Sequence, residues 1–234
     1  MERPEFLFDG PDEAPITLVL AHGAGAPMNS TFMNVVARGL AQGGFRVARF
    51  EFPYMRARRE GGPRRAPDPG PVLKESWLAA ISHLGGAAGL AIGGKSLGGR
   101  IASMAADEAG VAGLVCLGYP FHPPGKPERL RTKHLETLRT PTLIVQGTRD
   151  ALGSREDVEG YRLSPSIRIA WIEDGDHSFK PRASSGRTES QTLAEAIARV
   201  QEFLSSIAPP APTAPKSRSF QAGGGDPSGR APSS

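Results

Sequence analysis

Short apolar runs recur along the chain, separated by stretches in which apolar residues return every three or four positions. The runs "PITLVLAH" (15–22), "FRVARFEF" (45–52), "GLAIGG" (89–94), "VAGLVCLGY" (111–119), "PTLIVQG" (141–147) and "IRIAWIE" (167–173) are mostly continuous in apolar residues. That is the pattern of strands buried on both faces. Between them, helices are predicted near 31–43, 72–84, 97–109, 129–138 and 154–162. The last predicted helix, 188–207, is the clearest: Leu193, Ile197, Val200, Leu204 and Ile207 fall four and three residues apart and form one stripe. Alternation of strand and helix predicts an α/β fold, a mostly parallel twisted sheet with helices on both faces. In such a sheet the chemistry belongs on the loops past the C-terminal ends of the strands.

A chain of 234 residues suits one sizeable domain, placed at 1–207. The tail 208–234, "APPAPTAPKSRSFQAGGGDPSGRAPSS", has almost no large apolar side chains to offset its ordering entropy, and disorder is expected there. The start, "MERPEFLFDG", lacks a signal-length apolar run, and no stretch approaches the ~18 apolar residues of a membrane span. A soluble, cytoplasmic protein with no membrane partner is therefore expected. Cys116 is the single cysteine, so no intramolecular disulfide can form. Its apolar surroundings predict a buried small hydrophobe without a catalytic role.

The net charge of +4 weakly favours anionic partners without identifying them. Much of the local excess lies in "PYMRARREGGPRRAPDPGP" (53–71), which reads equally as a solvated excursion or as the rim of a pocket. Tyr54 is its only aromatic, so it lacks the interleaved stacking residues of a single-stranded nucleic-acid platform, and no nucleic-acid partner is expected. Histidines and carboxylates are not spaced as zinc ligands, so neither metal nor cofactor is expected. The oligomeric state is not legible in these patterns.

Candidate chemistry concentrates in "GLAIGGKSLGGR" (89–100), which satisfies two incompatible motifs. Gly89, Gly94, Lys95 and Ser96 fit a phosphate-cradling P-loop; Gly94, Ser96 and Gly98 fit a nucleophile elbow. A P-loop needs its strand to finish before the first glycine, yet "SHLGGAA" precedes Gly89, and Leu90, Ala91 and Ile92 belong in a sheet. No later apolar run ends directly in the Asp that such a site uses for Mg²⁺. The elbow places every residue: "LAIGG" is the strand, Ser96 the sharp turn and "LGGRIASMAADEAG" the helix. Gly94 and Gly98 are expected to relieve crowding between neighbours two positions from Ser96, and Gly99 to let the helix approach the sheet.

In a chain with 29 glycines that motif alone proves little, so its context decides. "LAHGAGA" ends the first strong strand, "VQGTRDALGS" the fifth and "EDGDHSF" the sixth. Serine, acid and histidine thus follow in the order an α/β sheet of this kind requires for an acyl-transfer triad. Ser96 is the candidate nucleophile, His177 the general base and Asp150 the orienting acid. Asp174 or Asp176 could replace Asp150, and His22, His83, His122 and His134 are rivals to His177.

With these segments the sequence resembles the α/β-hydrolase superfamily across nearly all of residues 5–207. Within it, "AHGAGAPMNS", "FEFPYM", "GGKSLGGR", "YPFHPPGKP" and "QGTRD" resemble a small bacterial subfamily related to dienelactone hydrolases. That subfamily is also similar to the hydrolase-like domain of a subunit of the animal NSL histone-acetyltransferase complex. The resemblance implies an antiparallel edge strand from "EFLFDG" and hydrolysis of a small ester or thioester, including anionic ones. It implies an oxyanion hole from the N–H groups of Leu97 and Ala24, with Gly23 as the near alternative. His22 is expected to brace this loop and to border substrate. Lys95 either projects into solvent or lends positive charge to the pocket; His122 lines the pocket or is an ordinary loop histidine. Arg56 and Arg58 are candidates to attract a carboxylate or phosphate on the substrate. Two other readings are a hydrolase-shaped interaction module without turnover and a nucleotide binder acting through Lys95.

Overall fold

The computed structural model describes residues 3–209. Residues 210–234, nearly all of the expected disordered tail, lie outside the described residues. Seven strands form one sheet in the order β1-β3-β2-β4-β5-β6-β7. They are β1 (Phe6–Asp9), β2 (Thr17–Ala21), β3 (Arg46–Phe50), β4 (Leu90–Lys95), β5 (Gly113–Leu117), β6 (Thr142–Gly147) and β7 (Ile167–Ile172). All neighbours run parallel except the edge strand β1, which is antiparallel to β3. Arg49 of β3 ties that edge down, reaching Asp9 at 2.7 Å.

The helices are α1 (Thr31–Gln42), α2 (Pro53–Arg59), α3 (Gly70–His83), α4 (Leu97–Ala109), α5 (Arg155–Glu159) and α6 (Glu189–Ile207). Strand alternation sorts the core into two layers. Leu18 and Leu20 of β2 pack with α1 and α6, while Val19 and Ala21 pack with α2, α3 and α4. β4, β5 and β6 are buried along their whole length, which explains why their sequences are continuous apolar runs. Because β3 leaves β2 toward one edge and β5 leaves β4 toward the other, the crevice past Ala21 and Gly94 is the topological switch point.

Two expectations need correction. The helix expected over 129–138 is only a 3-10 turn, Lys133–Glu136. Arg131 sends its N–H back to Phe121 O at 2.7 Å, and Leu135 and Leu138 are drawn into the core from an otherwise irregular path. The excursion 53–71, read as irregular, begins with α2. Pro53 suits the first helical turn, and Tyr54 and Met55 are buried beneath it.

Candidate active site

β4 ends at Lys95 and α4 begins at Leu97, so Ser96 alone makes the turn between them. Its backbone has φ 50° and ψ −111°, a strained conformation for a residue with a Cβ, costing on the order of 1–3 kcal/mol. Gly94 and Gly98 permit the turn for a different reason from the expected mutual crowding. A Cβ on Gly94 would lie 2.1 Å from Ala21 O, and one on Gly98 2.3 Å from the same oxygen. Both therefore let the turn press against the end of β2. A Cβ on Gly99 would stand 2.7 Å from Gly94 O and 3.2 Å from Cys116, so α4 lies close on the sheet as expected.

Ser96 Oγ lies 2.9 Å from His177 Nε2, and His177 Nδ1 lies 2.7 Å from Asp150 Oδ2. With the carboxylate accepting from Nδ1–H, Nε2 is left as an acceptor for the serine hydroxyl. Asp150 is fully buried. Its Oδ2 also accepts from Gln146 Nε2 at 2.9 Å and its Oδ1 from Leu152 N at 2.8 Å. The alternative acids are occupied elsewhere: Asp174 pairs with Arg149 and Arg182, and Asp176 caps the N–H groups of Ser178 and Lys180. Among the rival bases, His83 stacks on Phe6 and His134 contacts Ser103.

The loop after β2 is held from its buried side. His22, fully buried, donates from Nδ1 to Gly23 O at 2.7 Å and accepts at Nε2 from Phe52 N at 3.2 Å. Burial lowers its pKa below the usual histidine value, more than its contacts with Gly23 O and Glu51 raise it. Tyr54 OH donates to Ala24 O at 3.1 Å and makes a longer contact to Gly23 O at 3.5 Å. In a trans peptide the N–H opposes the preceding carbonyl, so the Ala24 and Gly25 N–H groups face away from Tyr54. Leu97, first in α4, has an N–H without an acceptor inside the helix. Gly23, Ala24, Phe32, Met33, Ser96 and His177 border one open cavity of about 290 Å³.

A family profile described as the alpha/beta hydrolase domain matches residues 14–205. The chain belongs to the α/β-hydrolase family. Solved structures share the family's architecture. A serine hydrolase without a lid from Xanthomonas campestris aligns with a TM-score of 0.66 at 19% identity, over 89% of this chain and 91% of its own. A dienelactone hydrolase from Anabaena variabilis gives 0.66 at 20%, over 89% and 100%. A monoacylglycerol lipase from Paleococcus ferrophilus gives 0.65 at 17%, over 88% and 100%. At these identities the likeness is one of fold.

Other expected site residues of this hydrolase fall on either side of the cavity wall. Lys95 is buried: its Nζ donates to His177 O and lies 5.4 Å from the Phe32 ring and 5.9 Å from that of Phe179. Burial pulls its pKa down to about 8, against the opposing pull of Asp150 and Asp176. Of its two expected fates, projection into solvent is thus excluded. Arg58 donates to Gly25 O at 3.3 Å but borders a neighbouring cavity with Pro27, Asn29 and Met55, not the one at Ser96. Arg56 instead reaches Arg3 O at 3.4 Å and borders a separate small cavity with Pro4 and Ala79. His122 is buried beside the acid loop, its Nδ1 on Pro123 O at 3.0 Å, and is not among the residues bordering the Ser96 cavity. His22 stands behind the loop rather than against the cavity, because both ring nitrogens are already bonded.

Three supporting residues escaped the sequence reading. Gln146, fully buried, bonds Asp150, Tyr119 and Gly153 at once. Tyr54 was visible only as the lone aromatic of its segment. Gly118 has φ +65°, and a Cβ there would lie 2.7 Å from both His177 O and Lys95 Nζ. No metal-ligand cluster of His, Cys, Asp or Glu occurs among the described residues, and no helix among them is long and apolar enough to cross a membrane.

Proposed function

We propose that this hydrolase cleaves a small ester or thioester through Ser96, His177 and Asp150. The observation carrying the reading is the unbroken contact chain from Ser96 Oγ through the His177 ring to Asp150 Oδ2, at 2.9 and 2.7 Å, opening on a cavity. As Oγ attacks the acyl carbonyl, His177 Nε2 takes its proton and Asp150 stabilises the resulting imidazolium. The N–H groups of Leu97 and Ala24 receive the oxyanion, each worth ~2.7–4 kcal/mol when preorganised. Collapse of the tetrahedral adduct expels an alcohol or thiol that takes the proton back from His177. Water, activated by the same imidazole, then releases the acid.

Phe32 and Met33 give the cavity an apolar wall, and its size lies near the lower end for ligand sites, which supports a short acyl group. We take residues 1–207 as the catalytic unit. The lone thiol of Cys116, buried and unpaired, accords with a cytoplasmic site of action.

A fluorophosphonate probe tests the reading: it should label the protein at one site, and Ser96→Ala should abolish the label and lower ester turnover by about 10⁴-fold or more. Wild-type protein that is folded by circular dichroism yet stays unlabelled would overturn the proposal in favour of a hydrolase-shaped interaction module.

A further inference from the structure

The hydrolytic reading leaves one polar face of α4 unused. Arg100 stands one turn beyond Ser96, its N–H donating to Ser96 O at 3.0 Å. A relay of side chains leads outward from its own carbonyl. Ser103 Oγ donates to Arg100 O at 2.7 Å; His134 Nε2 lies 2.8 Å from Ser103 Oγ and 3.4 Å from Tyr119 OH; Tyr119 OH donates to Arg131 O at 3.0 Å. The relay fixes the backbones of Arg100 and Arg131 against one another and leaves both guanidinium groups uncommitted.

Their charge is unanswered. Both residues are half-buried. Several other shielded arginines have acids: Arg49 has Asp9, Arg149 has Asp174 and Arg187 has Glu195. Among the described residues, neither Arg100 nor Arg131 forms an ion pair or a side-chain hydrogen bond from its guanidinium, and Arg100 Nε is sealed from water without an acceptor. The groups feel each other: burial first, and then the Arg100 charge, hold Arg131 below the ordinary arginine range, and the same two causes hold His134 down. The groups facing the cluster are thus two cations, a histidine biased to its neutral form, the Tyr119 phenol and the Ser103 hydroxyl. No carboxylate is among them.

We propose that Arg100 and Arg131 bind a phosphate-class dianion on this face of α4. Two forked guanidinium groups match the oxygens and the double charge of a phosphate monoester, whereas one carboxylate would leave one of two half-buried positive charges uncompensated. A free phosphate and a phosphate carried by the ester or thioester satisfy the same chemistry. The site does not depend on the hydrolytic mechanism, so it is tested on full-length Ser96→Ala protein.

Inorganic phosphate should raise Tm saturably at constant ionic strength, while acetate and chloride at matched strength should not. Arg131→Gln, and separately Arg100→Lys, should weaken the apparent phosphate Kd at least tenfold; if Arg131→Gln does not fold, Arg131→Lys takes its place. An equal Tm rise with acetate, or an unchanged phosphate Kd in both arginine variants, overturns the site. In the active protein a second arm separates the sources. If the phosphate is part of the substrate, Arg131→Gln should raise KM at least tenfold for a phosphate-bearing thioester and leave KM for its phosphate-free analogue unchanged; a free phosphate predicts no such selectivity.

Discussion

Ser96 and the His177–Asp150 pair meet at one point, but the two ends of the candidate site are built by different means. The elbow is made locally, by Gly94, Gly98 and Gly99, which let backbone press on backbone. The other end joins residues 27 and 81 positions apart in sequence. It is fixed by side-chain hydrogen bonds, chiefly Gln146 on Asp150 and Lys95 on the His177 carbonyl. Missing atoms specify one end; added polar contacts specify the other. The first therefore tolerates no extra volume, and the second tolerates no change in donor and acceptor pattern.

Substitutions can break that contrast, beginning with the acid. Asp150→Asn places an amide where Gln146 Nε2, Leu152 N and His177 Nδ1 all require an acceptor. Steady-state kinetics should give a fall in kcat of about 10⁴-fold with the fold retained. Next in size is Gly98→Ala, whose methyl would meet Ala21 O at 2.3 Å. Urea unfolding should register a loss of about 1–3 kcal/mol. Gly70→Ala, at the exposed start of α3 with nothing within 4 Å, should leave stability unchanged or slightly raised. Equal losses at the two glycines would erase the proposed distinction.

The remaining prediction is a pH dependence. Because Lys95 has a folded pKa of about 8 against an ordinary 10.5, the unfolded chain holds more protons between those values. Stability relative to Lys95→Met should therefore increase as pH rises from about 8 to 10.5, and be flat below that window. Paired denaturation curves across that range give the sign directly.

The same contrast explains what could be read beforehand. Gly94, Ser96 and Gly98 sit at fixed short spacing, so the elbow was legible once its strand was recognised, although the reason for the glycines lay in Ala21, over seventy positions away. Chain order and placement after strands single out Asp150 and His177 as candidates. They do not single out Gln146, since a glutamine in an apolar strand declares no partner until β5 and β6 pair and Tyr119 comes beside it. Lys95 left two readings open because burial of its Nζ depends on Phe32, Phe179 and the His177 loop, which converge only in three dimensions. Periodicity located the buried strands well and failed at 129–138, where two leucines suffice as anchors for an irregular segment. Arg56 and Arg58 are two apart on α2 and so diverge, Arg58 to Gly25 O and Arg56 to Arg3 O.

His22 holds its hook with one protonated and one bare nitrogen, taking the Phe52 N–H on the latter. A second proton on that ring would turn the acceptor into a donor and set two N–H groups face to face. Acidification should thus unhook the loop that carries Ala24 from the start of α2, slackening that side of the cavity without touching a group that lines it.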